Sequence, residues 1–137
     1  MPRDAETVSL VRAAAGEFLR SFGVESECLE DIRLAVSEAC TNVVQHARAG
    51  DEYEVRVHLD EYACTIQVRN VGSGFDAGTL EGAPLDPMSS RGRGVVIMRA
   101  VMDTVGFESE PELGTIVHLV RDLDVVPDSP LVRLRRP

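Results

Sequence analysis

Apolar residues recur at two different periods along this chain, and the switches between them mark its elements. Over residues 5–21, Val8, Val11, Ala15 and Phe18 share one helical face that ends at Ser21-Phe22-Gly23. A longer helix is predicted from Ser26, which serves as its N-cap. Glu27, Glu30 and Asp31 follow where the positive end of the helix dipole favours acids. Leu29, Ile32, Val36, Cys40, Val43 and Ala47 form the buried stripe of this helix, and Gly50 ends it. Beyond Gly50 the period drops to two. Tyr53, Val55, Val57 and Leu59 alternate with Glu54, Arg56, His58 and Asp60. Past an Asp60-Glu61 turn, Cys64, Ile66 and Val68 alternate with Thr65, Gln67 and Arg69, which predicts an antiparallel hairpin.

A long loop comes next, punctuated by Gly72, Gly74, Gly78, Gly82, Pro84 and Pro87. Structureless loops of that size in a compact domain are usually functional or disordered. Val95, Met98, Val101 and Met102 restore helical spacing, and 104–109 and 115–121 read as two further strands around a turn at Pro111–Gly114. The predicted fold is α+β: a two-layer sandwich with a mainly antiparallel sheet covered by helices. The domain is expected over 5–122. Residues 123–137 carry prolines and arginines and are expected to hang off the fold as a flexible tail.

Composition narrows the chemistry. The chain has 137 residues, 14 Lys+Arg against 23 Asp+Glu, and a net charge of −9; every one of those basic residues is arginine. Without lysine there is no Walker-A lysine and no Schiff base, which excludes P-loop NTPases and pyridoxal enzymes. The acidic balance argues against direct nucleic-acid binding, whose phosphate contacts need a basic surface. Cys28, Cys40 and Cys64 are widely spaced in apolar patterns without metal spacing and read as buried thiols of a reducing compartment. The N-terminal stretch has no signal-like apolar run and no segment reaches membrane-span length, so the protein is expected in the cytoplasm, off the membrane.

Four places could carry function. Glu38, Asn42 and His46 stand four residues apart, along one line of the second helix at the margin of its apolar stripe. A carboxylate one turn from a carboxamide can hold a hydrated Mg²⁺ through oxygen ligands and act as a general base. The spacing alone equally describes the polar margin of an ordinary amphipathic helix. In Asn70-Val71-Gly72-Ser73-Gly74-Phe75-Asp76, Asn70 shares the inward phase of Cys64, Ile66 and Val68. A buried amide needs a partner, and the two glycines would let backbone approach a flat ligand, although a plain turn has the same pattern. Arg91-Gly92-Arg93-Gly94 opens a predicted helix and can bind an anion, or be a solvated basic turn. Gly114-Thr115 heads the last strand and is uninformative alone. His46, His58 and His118 do not form a metal set by spacing, and no nucleophile elbow is present.

Together and in this order, the four segments resemble the GHKL, or Bergerat-fold, ATPase superfamily. More narrowly they are similar to the anti-sigma-factor serine kinases of bacterial partner-switching systems. VSEACTNVVQHA at 36–47 resembles the N box of that family, RNVGSGFD at 69–76 its G1 box, RGRGVVIMRAVMD at 91–103 its G2 box and GTIVHLVR at 114–121 its last strand. The resemblance spans roughly residues 5–121. It implies ATP and Mg²⁺ as cofactors, with Glu38 as general base and Asn42 as Mg²⁺ ligand. Asn70 would meet the adenine, Gly72 and Gly74 would shape its pocket, and Thr115 would lie on the adenine side. The stretch from about Asp76 to Ser90 would be the ATP lid, with Arg91, Gly92, Arg93 and Gly94 cradling phosphates. The implied substrate is a serine on a small anti-sigma antagonist, and the other partner is a sigma factor. The first helix would serve a homodimer and the sigma-binding face, with Arg12 as a contact.

One position departs from the pattern, because the family has aspartate where this chain has Asn70. An asparagine carbonyl still accepts a hydrogen bond from an adenine amino group, but without charge assistance. ATP binding is expected to weaken by ~1 kcal/mol, the usual worth of one hydrogen bond. The alternative is a regulatory module of the same fold that binds protein partners with weak or lost nucleotide binding and no kinase activity.

Overall fold

The computed structural model describes residues 5–46, 52–71, 90–110 and 114–135. Its elements run α1 (Ala5–Ser21), α2 (Ser26–His46), β1 (Glu52–Leu59), β2 (Ala63–Val71), α3 (Ser90–Val101), β3 (Thr104–Glu110), β4 (Gly114–Asp122) and α4 (Pro130–Leu134). The four strands form one antiparallel sheet in the order β1-β2-β4-β3. Each hairpin is set by its pattern: Leu59 pairs with Cys64 at one end of β1–β2 and Tyr53 with Asn70 near the other. Any slip of one residue would turn the apolar set outward.

Burial follows the period of two. Cys64, Ile66, Val68, Val117 and Leu119 on the central strands are fully covered, whereas Val55, Val57 and Leu59 on edge strand β1 are half-buried. The covering layer is α2, whose Ile32, Ala35, Val36, Ala39, Cys40 and Val43 meet that face in the same core as Val95 and Met98 of α3. Deleting one such side chain, Ile32→Ala for example, costs about 2–5 kcal/mol through lost transfer energy and the cavity left behind.

Three expectations need correction. Ser26 is the first helical residue of α2, and the Glu25 carbonyl accepts the first helical bond from Leu29 N at 2.8 Å, which makes Glu25 the cap. Phe18 is 41% exposed while Leu19 is fully buried, so the stripe of α1 runs Val11-Ala15-Leu19 at a spacing of four. Finally, 123–135 do not hang off the fold. Leu123, Ser129 and Leu131 are buried, Val125 bridges Val24, and α4 is capped by Ser129 with Pro130 opening it. The prolines suggest a tail because they cannot donate to a ladder, yet Pro at the first helical position is a helix-start signal. The expected end of α2 at Gly50 lies outside the described residues.

Candidate functional site

The second helix turns Glu38 and Asn42 toward α3. A methyl group built on Gly94 would lie 3.0 Å from Glu38 Oε2 and 3.4 Å from Asn42 Oδ1. The carboxylate and the carboxamide oxygen therefore both lie against the bare backbone of α3, where a side chain on residue 94 would crowd the carboxylate. Asn42 is buried and Glu38 half-buried, so the pair lies at the edge of the core. Two oxygen ligands of this kind, one anionic and one neutral, can hold a hard cation, and the carboxylate can act as a proton acceptor.

The other expected residues fall as follows. Arg93 is exposed one residue before Gly94. Arg91 and Gly92 belong to the first turn of α3, where backbone N–H groups lack helical partners; their side chains lie outside the described ones. Asn70 is 1% exposed at the end of β2, in the inward phase. Because Arg69 pairs with Ile116, the next step of the register sets Asn70 across from Thr115 on β4. The side chains of Thr115 and His46 are outside the description, and so are Gly72, Gly74 and 76–89 altogether. Arg12 lies exposed on α1, beside buried Val11.

The thiols take no part in this arrangement. Burial pushes Cys40 and Cys64 up to about 12 and raises Cys28 as well, so all three stay protonated and unreactive near neutrality. Sequence reasoning missed one feature, a groove of about 730 Å³ between α1 and β1, lined by Leu10, Ala14, Phe18, Tyr53, Val55 and Val57. Its signal was present in Leu10 and Phe18, large apolar residues off the Val11-Ala15-Leu19 stripe. Tyr53 also shares a hydrogen bond of 2.8 Å with Thr7 between their hydroxyls.

A helical layer thus lies on a four-stranded antiparallel sheet, with an oxygen-bearing seam beside a glycine of the next helix. The family model for the histidine kinase-like ATPase domain matches residues 1–121, and the chain belongs to that family. Among curated relatives, a serine-protein kinase RsbW from Halalkalibacterium halodurans is 30% identical over 132 residues, covering 90% of this chain and 80% of the relative. A protein of the same name from Bacillus thuringiensis is 30% identical over 115 residues, covering 77% of this chain and 72% of its own. Of solved structures, the mycobacterial sensor histidine kinase MprB superposes with a TM-score of 0.52 at 16% identity, over 72% of this chain and 76% of that one. The histidine kinase domain of the Erythrobacter litoralis EL346 blue-light activated histidine kinase gives 0.50 at 23% identity, over 80% of this chain and half of that one. These two share the fold. The expected α+β sandwich of this ATPase class is borne out.

Proposed function

We propose that this chain is an ATP-binding serine-protein kinase and anti-sigma factor, which phosphorylates a serine on a small antagonist protein and binds a sigma factor as its other partner. The observation that carries the proposal is the meeting of Glu38 and Asn42 with Gly94, in a chain 30% identical to serine-protein kinases over most of its length. The residues present fit Mg²⁺-ATP. Among the described residues no group of three or more His, Cys, Asp and Glu side chains is gathered for a metal ion. What suits Mg²⁺ is the Asn42 carboxamide oxygen at the Gly94 seam, since that ion takes few protein oxygens and keeps phosphates and water in its shell.

Asn42 would offer its Oδ1 to that ion. When bound, Mg²⁺-ATP supplies the transferable phosphoryl group and neutralises its charge. Glu38 would accept the proton of the incoming serine hydroxyl at its carboxylate, which lies against the backbone of Gly94. Arg93 and the free N–H groups of the first turn of α3 would steady phosphate oxygens, with Arg91, Gly92 and Gly94 completing that cradle. Asn70 would accept from the adenine amino group at the buried end of β2, beside Gly72, Gly74 and Thr115. Arg12 is proposed as a sigma contact on a homodimer. Among the described residues no helix is long and apolar enough to cross a membrane; a cytoplasmic location is part of the proposal.

The test is Glu38→Ala. It should abolish phosphoryl transfer to the antagonist and leave ATP affinity largely intact. Lost ATP affinity with unchanged transfer per bound complex would sink the role given to Glu38.

A further inference from the structure

Among the described residues, the segment after β4 is tied into the fold at two places, the α1–α2 corner and the β1–β2 turn. Val126 N donates to Gly23 O and Glu25 N donates to Asp124 O, both at 2.8 Å, on either side of the Val24–Val125 bridge. Ser129 is 2% exposed. Its hydroxyl donates to Phe22 O and accepts from Leu131 N at 3.1 Å, so one side chain ties the end of α1 to the start of α4. Arg135 closes the other side. Its guanidinium donates to Glu61 O and, at 3.0 Å, to Leu123 O, and lies 5.3 Å from the centre of the Tyr62 ring. Leu123 N donates to Tyr62 O at 2.8 Å.

Gly23 is shaped for this contact. Its φ is 76°, and a Cβ there would come within 2.8 Å of Ser129 Cβ. The backbone turns left-handed where the segment crosses it, which only a residue without a side chain accommodates at ease. The other end of α1 is held separately, by the Thr7–Tyr53 hydrogen bond. Glu38 lies about 20 Å further along α2 than Glu25 at 1.5 Å per residue, so the corner is remote from the α2–α3 seam.

We propose that residues 123–135 are a clasp: one conformational unit that joins the α1–α2 corner to the β1–β2 turn and fixes the C-terminal end of α1. A set of contacts that closes together also opens together, as a local unfolding event below the global one. The clasp is independent of the nucleotide chemistry proposed above, and it gives the chain a way to loosen α1 while α2, α3 and the central strands stay in place.

Native-state hydrogen exchange on the full chain tests this with Arg135→Ala and Ser129→Ala, which cut the clasp at opposite ends. Each variant should speed exchange of the Glu25, Leu123 and Val126 amides about tenfold, in keeping with loss of a hydrogen bond and its neighbours. Amides of Ile66, Leu119 and Met98 should keep their wild-type rates. Acceleration of all six by one factor would mean global destabilisation and overturn the proposal. So would acceleration confined in each variant to the end that was cut, since that describes two unrelated contacts.

Discussion

Replacing Gly94 by alanine separates what the α2–α3 seam does for stability from what it does for chemistry. The added Cβ would lie 3.0 Å from Glu38 Oε2 and 3.4 Å from Asn42 Oδ1. The first distance is roughly half an ångström inside an optimal contact, so the Glu38 carboxylate must withdraw. The second is tight but passable. Since the carboxylate ends a flexible, half-buried side chain, its withdrawal costs at most ~1 kcal/mol, the scale of an off-rotamer torsion. Alanine in turn is favoured over glycine in a helix interior by about 1 kcal/mol. Gly23, not Gly94, is the described glycine with positive φ, so nothing in the backbone opposes the change. The two contributions nearly cancel, and the midpoint of thermal unfolding should move by less than about 4 °C.

Phosphoryl transfer should respond differently if Glu38 is the base. A displacement of about 1 Å in a positioned group can cost on the order of 100-fold, and half of that shift predicts a loss of roughly 10-fold. The assay is transfer of labelled phosphate from ATP to the antagonist serine, run beside thermal unfolding of the same preparation. A 10-fold or greater loss of transfer with an unmoved midpoint supports the seam as a positioning device. Unchanged transfer would refute it, and so would a loss that only accompanies a midpoint fall beyond about 10 °C, which would make Gly94 a packing residue.

Three further outcomes are expected. Asn70→Asp should tighten Mg²⁺-ATP about fivefold in calorimetric titration, by restoring charge assistance, and should lower the stability of the nucleotide-free chain because the carboxylate is buried; equal affinity would remove the adenine from position 70. The thiols should resist alkylation at pH 8 until the chain is unfolded. Unfolded thiols ionise from about 9 while Cys40 and Cys64 stay protonated to about 12, so their stabilising share is whole below pH 9 and lost as pH rises toward 12. Alkaline unfolding curves of Cys40→Ala and Cys64→Ala that match wild type would count against this. Asp60 is held below its ordinary value of 3.8 by accepting from Tyr62 N and Ala63 N, each at 2.7 Å. Its contribution is present above that value and fades as pH falls through the lowered one, so Asp60→Asn should flatten the acid limb of the unfolding midpoint against pH, and parallel limbs would refute the turn's role.

What the sequence makes legible is whatever depends on period and local chemistry. The β1–β2 hairpin, the order of elements and the inward phase of Asn70 follow from alternation alone, because a sheet with one buried face leaves a single workable register. The stripe of α1 differs from the expected one by one residue, since Phe18 and Leu19 are both apolar and periodicity cannot choose between them; the burial of Leu19 in the core decides. The clasp was illegible for a different reason. Its bonds join residues about a hundred positions apart, Ser129 to Phe22 and Val126 to Gly23, and they run largely through backbone groups that every residue carries. The candidate site lies between these cases. Glu38 and Asn42 are recognisable by spacing and resemblance, but that a glycine from α3 presses on both is a tertiary fact.

The helix α2 is where these parts are coupled. Its first residues, beside Glu25, carry the clasp, its middle supplies Ile32, Ala35 and Val36 to the core, and its later turns present Glu38 and Asn42 to α3. Neither contact uses a residue of the apolar stripe, since the clasp meets the backbone N–H of Glu25 and the seam takes Glu38 and Asn42, so a conservative change in one end should leave the other unaltered. Changes to the stripe itself are different. A helix packed at crystal-like density transmits strain rather than absorbing it, and Val36 and Ala39 lie within one turn of Glu38. Overpacking there, as with Ala39→Val, shifts the helix axis against the sheet and carries both oxygen-bearing side chains with it. Substitutions at Ala39 should therefore reduce activity further than the stability they remove can explain, whereas substitutions at Leu29, close to the clasp, should cost stability without that excess.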